Sequence, residues 1–133
     1  MKKILVAYDG SEPAKHALEQ AAELATATGA KVTVVSVVPV HSGRAAVDPW
    51  DDRAVHTEEL VAAKAFLATR QLEYELLEPA GDPAQTIERI AEEGGYDMVM
   101  LGSRGLGTAA RVLQGSVSEH VATHAKATVV IVR

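Results

Sequence analysis

The apolar positions of this chain change period several times along its length, and each change marks an element boundary. Lys3-Ile4-Leu5-Val6-Ala7-Tyr8 is a short run of strand formers that ends at Asp9-Gly10-Ser11. Ser11 is a good helix N-cap, and Pro13 falls in the first turn, where its missing N–H does no harm. Ala14, Ala17, Leu18, Ala21 and Ala25 then recur at helical spacing up to Gly29, which predicts a first helix. Lys31 to Val38 is nearly continuous and β-branched, as in a strand buried on both faces, and Pro39 stops it. Residues 40–55 hold Gly43, Pro49 and the acids Asp48, Asp51 and Asp52, and read as a loop. A helix from about Thr57 to Gln71 turns Leu60, Ala63 and Leu67 inward, and Tyr74 to Glu78 is a third strand. Gly81-Asp82-Pro83 supplies a turn and a cap for a third helix carrying Ile87, Ile90 and Ala91, which Gly94-Gly95 closes. Tyr96 to Leu101 is a fourth strand. A glycine-rich loop, a helix from Ser116 to about Ala125 and a strand from Thr128 to Val132 complete the pattern.

Regular alternation of strands and helices predicts one α/β domain over residues 1–133, an open five-stranded parallel sheet with helices on both faces, Rossmann-like. Such sheets bind ligands outside the C-terminal ends of their strands, where the strand order reverses. If the first and fourth strands are neighbours, Asp9-Gly10-Ser11 and the segment from Gly102 face one crevice. Charge narrows the partners: a net −5 argues against broad binding to nucleic acid or to an anionic membrane surface. The chain has no cysteine, which excludes disulfides and thiolate chemistry. Its N-terminal apolar run is too short for a signal peptide, and no stretch approaches the roughly 18 apolar residues of a membrane span. The expectation is a soluble cytoplasmic protein.

The candidate chemistry gathers between Gly102 and Val121, where four glycines, four serines or threonines and two arginines fall together. A phosphate-binding P-loop is excluded because Thr108 stands where the lysine belongs. Gly105-x-Gly107-x-x-Ala110 imitates a dinucleotide fingerprint, but Lys126 and Ala127 occupy the region that should hold its acid. The spacing Gly102-x2-Gly105-x9-Gly115-Ser116 fits better. Two glycines let the backbone curl at the strand exit, and the chain returns at a predicted helix N-terminus, a ready anion site. Ser116 and Ser118 add hydroxyl donors, and Arg104 or Arg111 can meet phosphate oxygens.

In its opening ILVAYDGS, its strand exit MVMLGSRG, the G-x2-G-x9-G-S spacing and its ending GSVSEHV with ATVVIVR, the chain resembles the universal stress protein family, in its ATP-binding branch. The resemblance covers essentially the whole chain. It implies a sheet of the adenine nucleotide alpha hydrolase-like kind and a homodimer paired through the last strand. It also implies a stress-response regulator that binds ATP, or another adenine nucleotide, with Mg²⁺, and hydrolyses it slowly at most. By that resemblance Gly102, Gly105, Gly115 and Ser116 hold the phosphates, with Val117 and Ser118 adjoining, and Leu101 and Arg104, just before the first and second glycines, join the nucleotide site. Asp9 lies by the ribose or a metal-bound phosphate, and Ala7 and Val37 present backbone to the adenine. Lys126-Ala127-Thr128 departs from the family, which often has a proline before the last strand. Two other readings stand beside this one. The first is a nucleotide-free interaction dimer. The second is a true ATP-hydrolysing or adenylyl-transfer enzyme, for which no acid–base pair is visible.

Several residues also have plain readings. Asp9 is a common turn former. The acids of residues 48–52 read as a solvated loop, because Pro49-Trp50 breaks calcium-ligand spacing. His120 and His124 share a helix face, half a zinc site in spacing, but the sequence supplies no clear third ligand. They read as a solvated or dimer-facing pair.

Overall fold

The computed structural model describes residues 1–39, 53–103 and 109–133, with backbone alone for residues 53–56 and 109–116. Strands β1 (Lys3–Ala7), β2 (Lys31–Val35), β4 (Tyr74–Leu77), β6 (Met98–Gly102) and β7 (Thr128–Val132) form one sheet. Its order is β4-β2-β1-β6-β7, and every pairing is parallel. Helices α1 (Glu12–Thr28), α2 (Arg53–Ala68), α3 (Pro83–Glu93) and α4 (Ala109–His124) make the crossovers, so the expected α/β architecture is present.

Alternation along the strands fills two cores. Ile4, Val6, Val32, Val34 and Met100 point to one face, where they meet Ala14, Ala17, Ala21 and Ala25 of α1 and Leu60, Ala63 and Leu67 of α2. Leu5, Val35, Val99 and Leu101 point to the other, against Ala84, Ile87 and Ala91 of α3 and Val121 of α4. The chain steps outward through β1, β2 and β4 with α1 and α2 on one face, then returns to β6 and β7 with α3 and α4 on the other. Crossovers of one hand require that switch of face when the direction reverses.

Local chemistry places the starts of α1 and α3 as the sequence predicts. Ser11 caps α1, its Oγ accepting from the Ala14 N–H at 3.3 Å, and Asp82 caps α3, its Oδ2 accepting from the Gln85 N–H at 2.9 Å. Gly29 closes α1 in the left-handed conformation, φ +77°.

Three boundaries differ from the sequence pattern. The second strand leaves the main sheet after Val35, and a separate two-stranded ladder pairs β3 (Val38–Pro39) with β5 (Ala80–Gly81). Pro39 therefore lies inside a strand, on a short edge pairing that does not need its N–H. Helix α2 starts at Arg53, inside the span read as a loop. Helix α4 begins at Ala109, well before Ser116, because Ala109 to Gln114 is an unbroken run of residues that a helix accepts.

Candidate functional site

The strand order reverses between β1 and β6, which pair with Ala7 opposite Leu101. After β1 the chain enters α1 on one face, and after β6 it enters α4 on the other, so a crevice opens between the two exits. The sequence condition that these strands be neighbours is met.

At the β1 exit, the Asp9 carboxylate accepts from the Ser11 N–H at 2.9 Å, a local turn that sets up the Ser11 cap. Gly10 takes φ +79°, a conformation that side chains resist. Tyr8 is buried and donates its backbone N–H to the Val35 carbonyl at 2.9 Å. Burial pushes the Tyr8 phenol up, and the carboxylates of Glu59, Asp9 and Glu12 raise it further. Glu59 reaches this corner from α2. Its Oε2 accepts from the Ser36 hydroxyl at 3.4 Å, and its side chain would stand 3.2 Å from a Cβ on Gly10. Neither Glu59 nor Ser36 was legible as a site residue, since Thr57-Glu58-Glu59 reads as an ordinary polar helix start. The corner is thus acidic, which suits a metal-bound phosphate or a ribose better than a bare phosphate.

At the β6 exit, Gly102 has a structural reason of its own. A Cβ there would lie 2.8 Å from the Ala14 nitrogen and 2.9 Å from Pro13, so only glycine lets the first turn of α1 approach. Ser103 continues the ladder, its N–H donating to the Val132 carbonyl at 2.7 Å. Ser118 is buried on α4, and its hydroxyl lies within reach of the carbonyls of Gly102 at 3.2 Å and Ser103 at 3.4 Å. This bond ties α4 to the end of β6.

Ala7, Val37, Leu101 and Val117, separated widely in sequence, belong to one apolar cluster on the α3–α4 face. Val37 stands where the chain passes from one ladder to the next, between the Ser36 N–H to Leu77 carbonyl bond of 3.0 Å and the Val38 N–H to Pro79 carbonyl bond of 2.8 Å. Gly115 and Ser116 lie within α4 and not at its first turn, which corrects the expectation of a helix N-terminus at that pair. The free amide end belongs instead to the turn beginning at Ala109. Arg104 and Gly105 lie outside the described residues, and so does the side chain of Arg111. Among the described residues, no helix is long and apolar enough to cross a membrane.

The Universal stress protein family model matches residues 1–133. A universal stress protein of Thermus aquaticus is 35% identical over 135 residues, covering 99% of this chain and 98% of that one. The crystal structure of a universal stress protein in complex with cAMP superposes with a TM-score of 0.71 at 28% identity, covering 99% of this chain and 97% of the other. The universal stress protein of Archaeoglobus fulgidus in complex with dAMP gives a TM-score of 0.78 at 25% identity, over 100% and 98% of the two chains.

Proposed function

We propose, from the premise that this chain belongs to the universal stress protein family, that it is a cytoplasmic regulatory protein that binds ATP with Mg²⁺ in the crevice between β1 and β6. The observation that carries this reading is the convergence of Ala7, Val37, Leu101 and Val117 on one apolar cluster beside the Asp9 turn and the Gly102 exit. Ala7, Val37 and Val117 are half-buried there, which places apolar groups next to polar groups suited to sugar and phosphate. The relatives crystallised with cAMP and with dAMP share an adenine nucleoside carrying phosphate, which supports an adenine ligand.

In this reading the backbone of Ala7 and Val37 meets the adenine, and Asp9 meets the ribose or a magnesium-bound phosphate. Gly102, Arg104, Gly105, Gly115 and Ser116 surround the phosphates, with Val117 and Ser118 behind them. Mg²⁺ would supply charge neutralisation beside the acidic corner of Asp9 and Glu59. Among the described residues no dedicated base or water-positioning side chain stands beside Asp9 and Gly102, and in this reading hydrolysis is slow at most.

The sheet edges support a homodimer through β7. The outer strand β4 carries the exposed Glu75, paired with Lys31 at 3.0 Å, and charge of that kind discourages strand addition. β7 reads Thr-Val-Val-Ile-Val, without a charge, and leaves Ile131 43% exposed.

Freshly purified protein is heat-denatured, and the supernatant is analysed by ion-pair chromatography with mass detection. Co-purified adenine nucleotide, or saturable binding when ATP and Mg²⁺ are added, is the expected result. Gly115→Val should then abolish binding with an unchanged far-UV circular dichroism spectrum. Retained affinity in the folded variant overturns the assignment of Gly115. One structural fact favours a second reading, that of a nucleotide-free interaction dimer. Gly102 and Ser118 already have packing and bonding roles within the fold. Absence of nucleotide both on release and on titration would select it.

A further inference from the structure

His120 and His124 sit one turn apart on α4 with their rings stacked, centroids 4.0 Å apart and planes at 21°. The third ligand missing from the local sequence comes from α3. Glu88 Oε2 lies 2.6 Å from His120 Nδ1, a contact between residues far apart along the chain. One ligand atom from each of the three residues lies within 4.8 Å of the other two. We propose that Glu88, His120 and His124 form a site for a divalent transition-metal ion of the zinc class, which clamps α3 to α4.

Two imidazole nitrogens and one carboxylate oxygen are a common zinc donor set, with a fourth position left to water. Bonds of about 2.0–2.2 Å in tetrahedral geometry separate ligand atoms by roughly 3.3 Å, so shifts of about 1 Å close the site. The side chains can make them, since His120 is 43% exposed and Glu88 18%. The contact of His124 selects one tautomer of the neutral ring. Its Nδ1 lies 2.9 Å from the His120 carbonyl, which can only accept, so the neutral tautomer that fits has its proton on Nδ1 and offers Nε2 to a metal. A metal at His120 Nδ1 replaces the hydrogen bond to Glu88, and the imidazole proton moves to Nε2, so the ring stays neutral. Beside the cluster a cavity of about 510 Å³ runs between the two helices, lined by Glu88, Glu92, His124 and the cations Arg89 and Lys126. Lys126 is engaged by Glu92 at 2.9 Å, which reduces its repulsion of an incoming cation.

Metal-free protein is titrated with zinc chloride by calorimetry, and parallel samples are melted with and without zinc. One ion per chain and a raised melting temperature are expected. Cobalt in place of zinc should give visible d–d absorption. His124→Gln and Glu88→Gln should each weaken zinc binding by at least about tenfold and remove the cobalt spectrum. His16→Gln serves as the control, because His16 lies elsewhere, with its Nδ1 2.8 Å from the Arg133 carbonyl, and should bind zinc as the parent does. Zinc affinities of the two site variants within about twofold of the parent would overturn the proposal, as would no binding below about 1 mM zinc.

Discussion

The two ends of the parallel sheet are built to different plans. At the end where the strands begin, connections are short and tightly bonded. Gly29 turns α1 into β2, Asp97 accepts from the N–H groups of Lys2 and Lys3 at 2.8 Å each, and the Tyr96 hydroxyl donates to the buried Thr33 at 2.8 Å. Lys3 bonds the Gly94 carbonyl and lies over the Tyr96 ring. At the end where the strands finish, the chain instead gathers acids around Tyr8, interrupts β2 at Ser36-Val37 and places Gly102 against α1. One end holds the fold together, and the other holds the candidate site. Gly102 belongs to both, because it lies at the candidate site and the space left by its missing Cβ is taken by the first turn of α1.

Substitutions can test that division. Gly102→Val should have the largest effect: its added carbons meet Ala14 and Pro13 at distances under 3 Å. A destabilisation of about 1–3 kcal/mol is expected, with loss of nucleotide binding. A urea midpoint equal to the parent's would show that α1 yields easily and that the two ends are less distinct. Gly29→Ala should cost about 1 kcal/mol through backbone strain alone, since φ is +77° and nothing lies within 4 Å of the added Cβ. ATP affinity should not change in that variant, and a parallel loss would blur the comparison.

The smallest effect concerns pH. Backbone donors at Lys2 and then Lys3 hold the Asp97 carboxylate below its ordinary value. A lowered folded pKa gives stability that is present above the unfolded value, about 3.9, and is lost as the pH falls through the lower folded value. Asp97→Asn should therefore be slightly less stable than the parent at neutral pH and converge with it below about pH 4. Denaturation midpoints across that range check this, and parallel curves without convergence would assign the stability to something other than the charge.

Much of the fold was legible because its signals are periodic. The apolar run of β1, the alanine repeat of α1 and the caps at Ser11 and Asp82 each needed only neighbouring residues. The start of α4 was not, because Gly115-Ser116 imitates a cap while Ala109 to Gln114 supplies no breaker to oppose a longer helix. The ladder of β3 with β5 is too short to show a period. At the candidate site, Asp9, Ala7 and Leu101 follow from position at strand ends. Glu59, Ser36 and Glu88 reach their partners only through tertiary packing, and no local pattern sets them apart from solvated polar residues.

The uncharged strand at the β7 edge also bears on how the protein behaves in a crowded mixture. A bare edge of Thr-Val-Val-Ile-Val is a template that any extended chain can extend, native or not. Pairing with a second copy would cap that template as well as join two subunits. Dilution or a mutation that splits the pair would then show itself first as turbidity and cross-β dye binding, ahead of any loss of secondary structure.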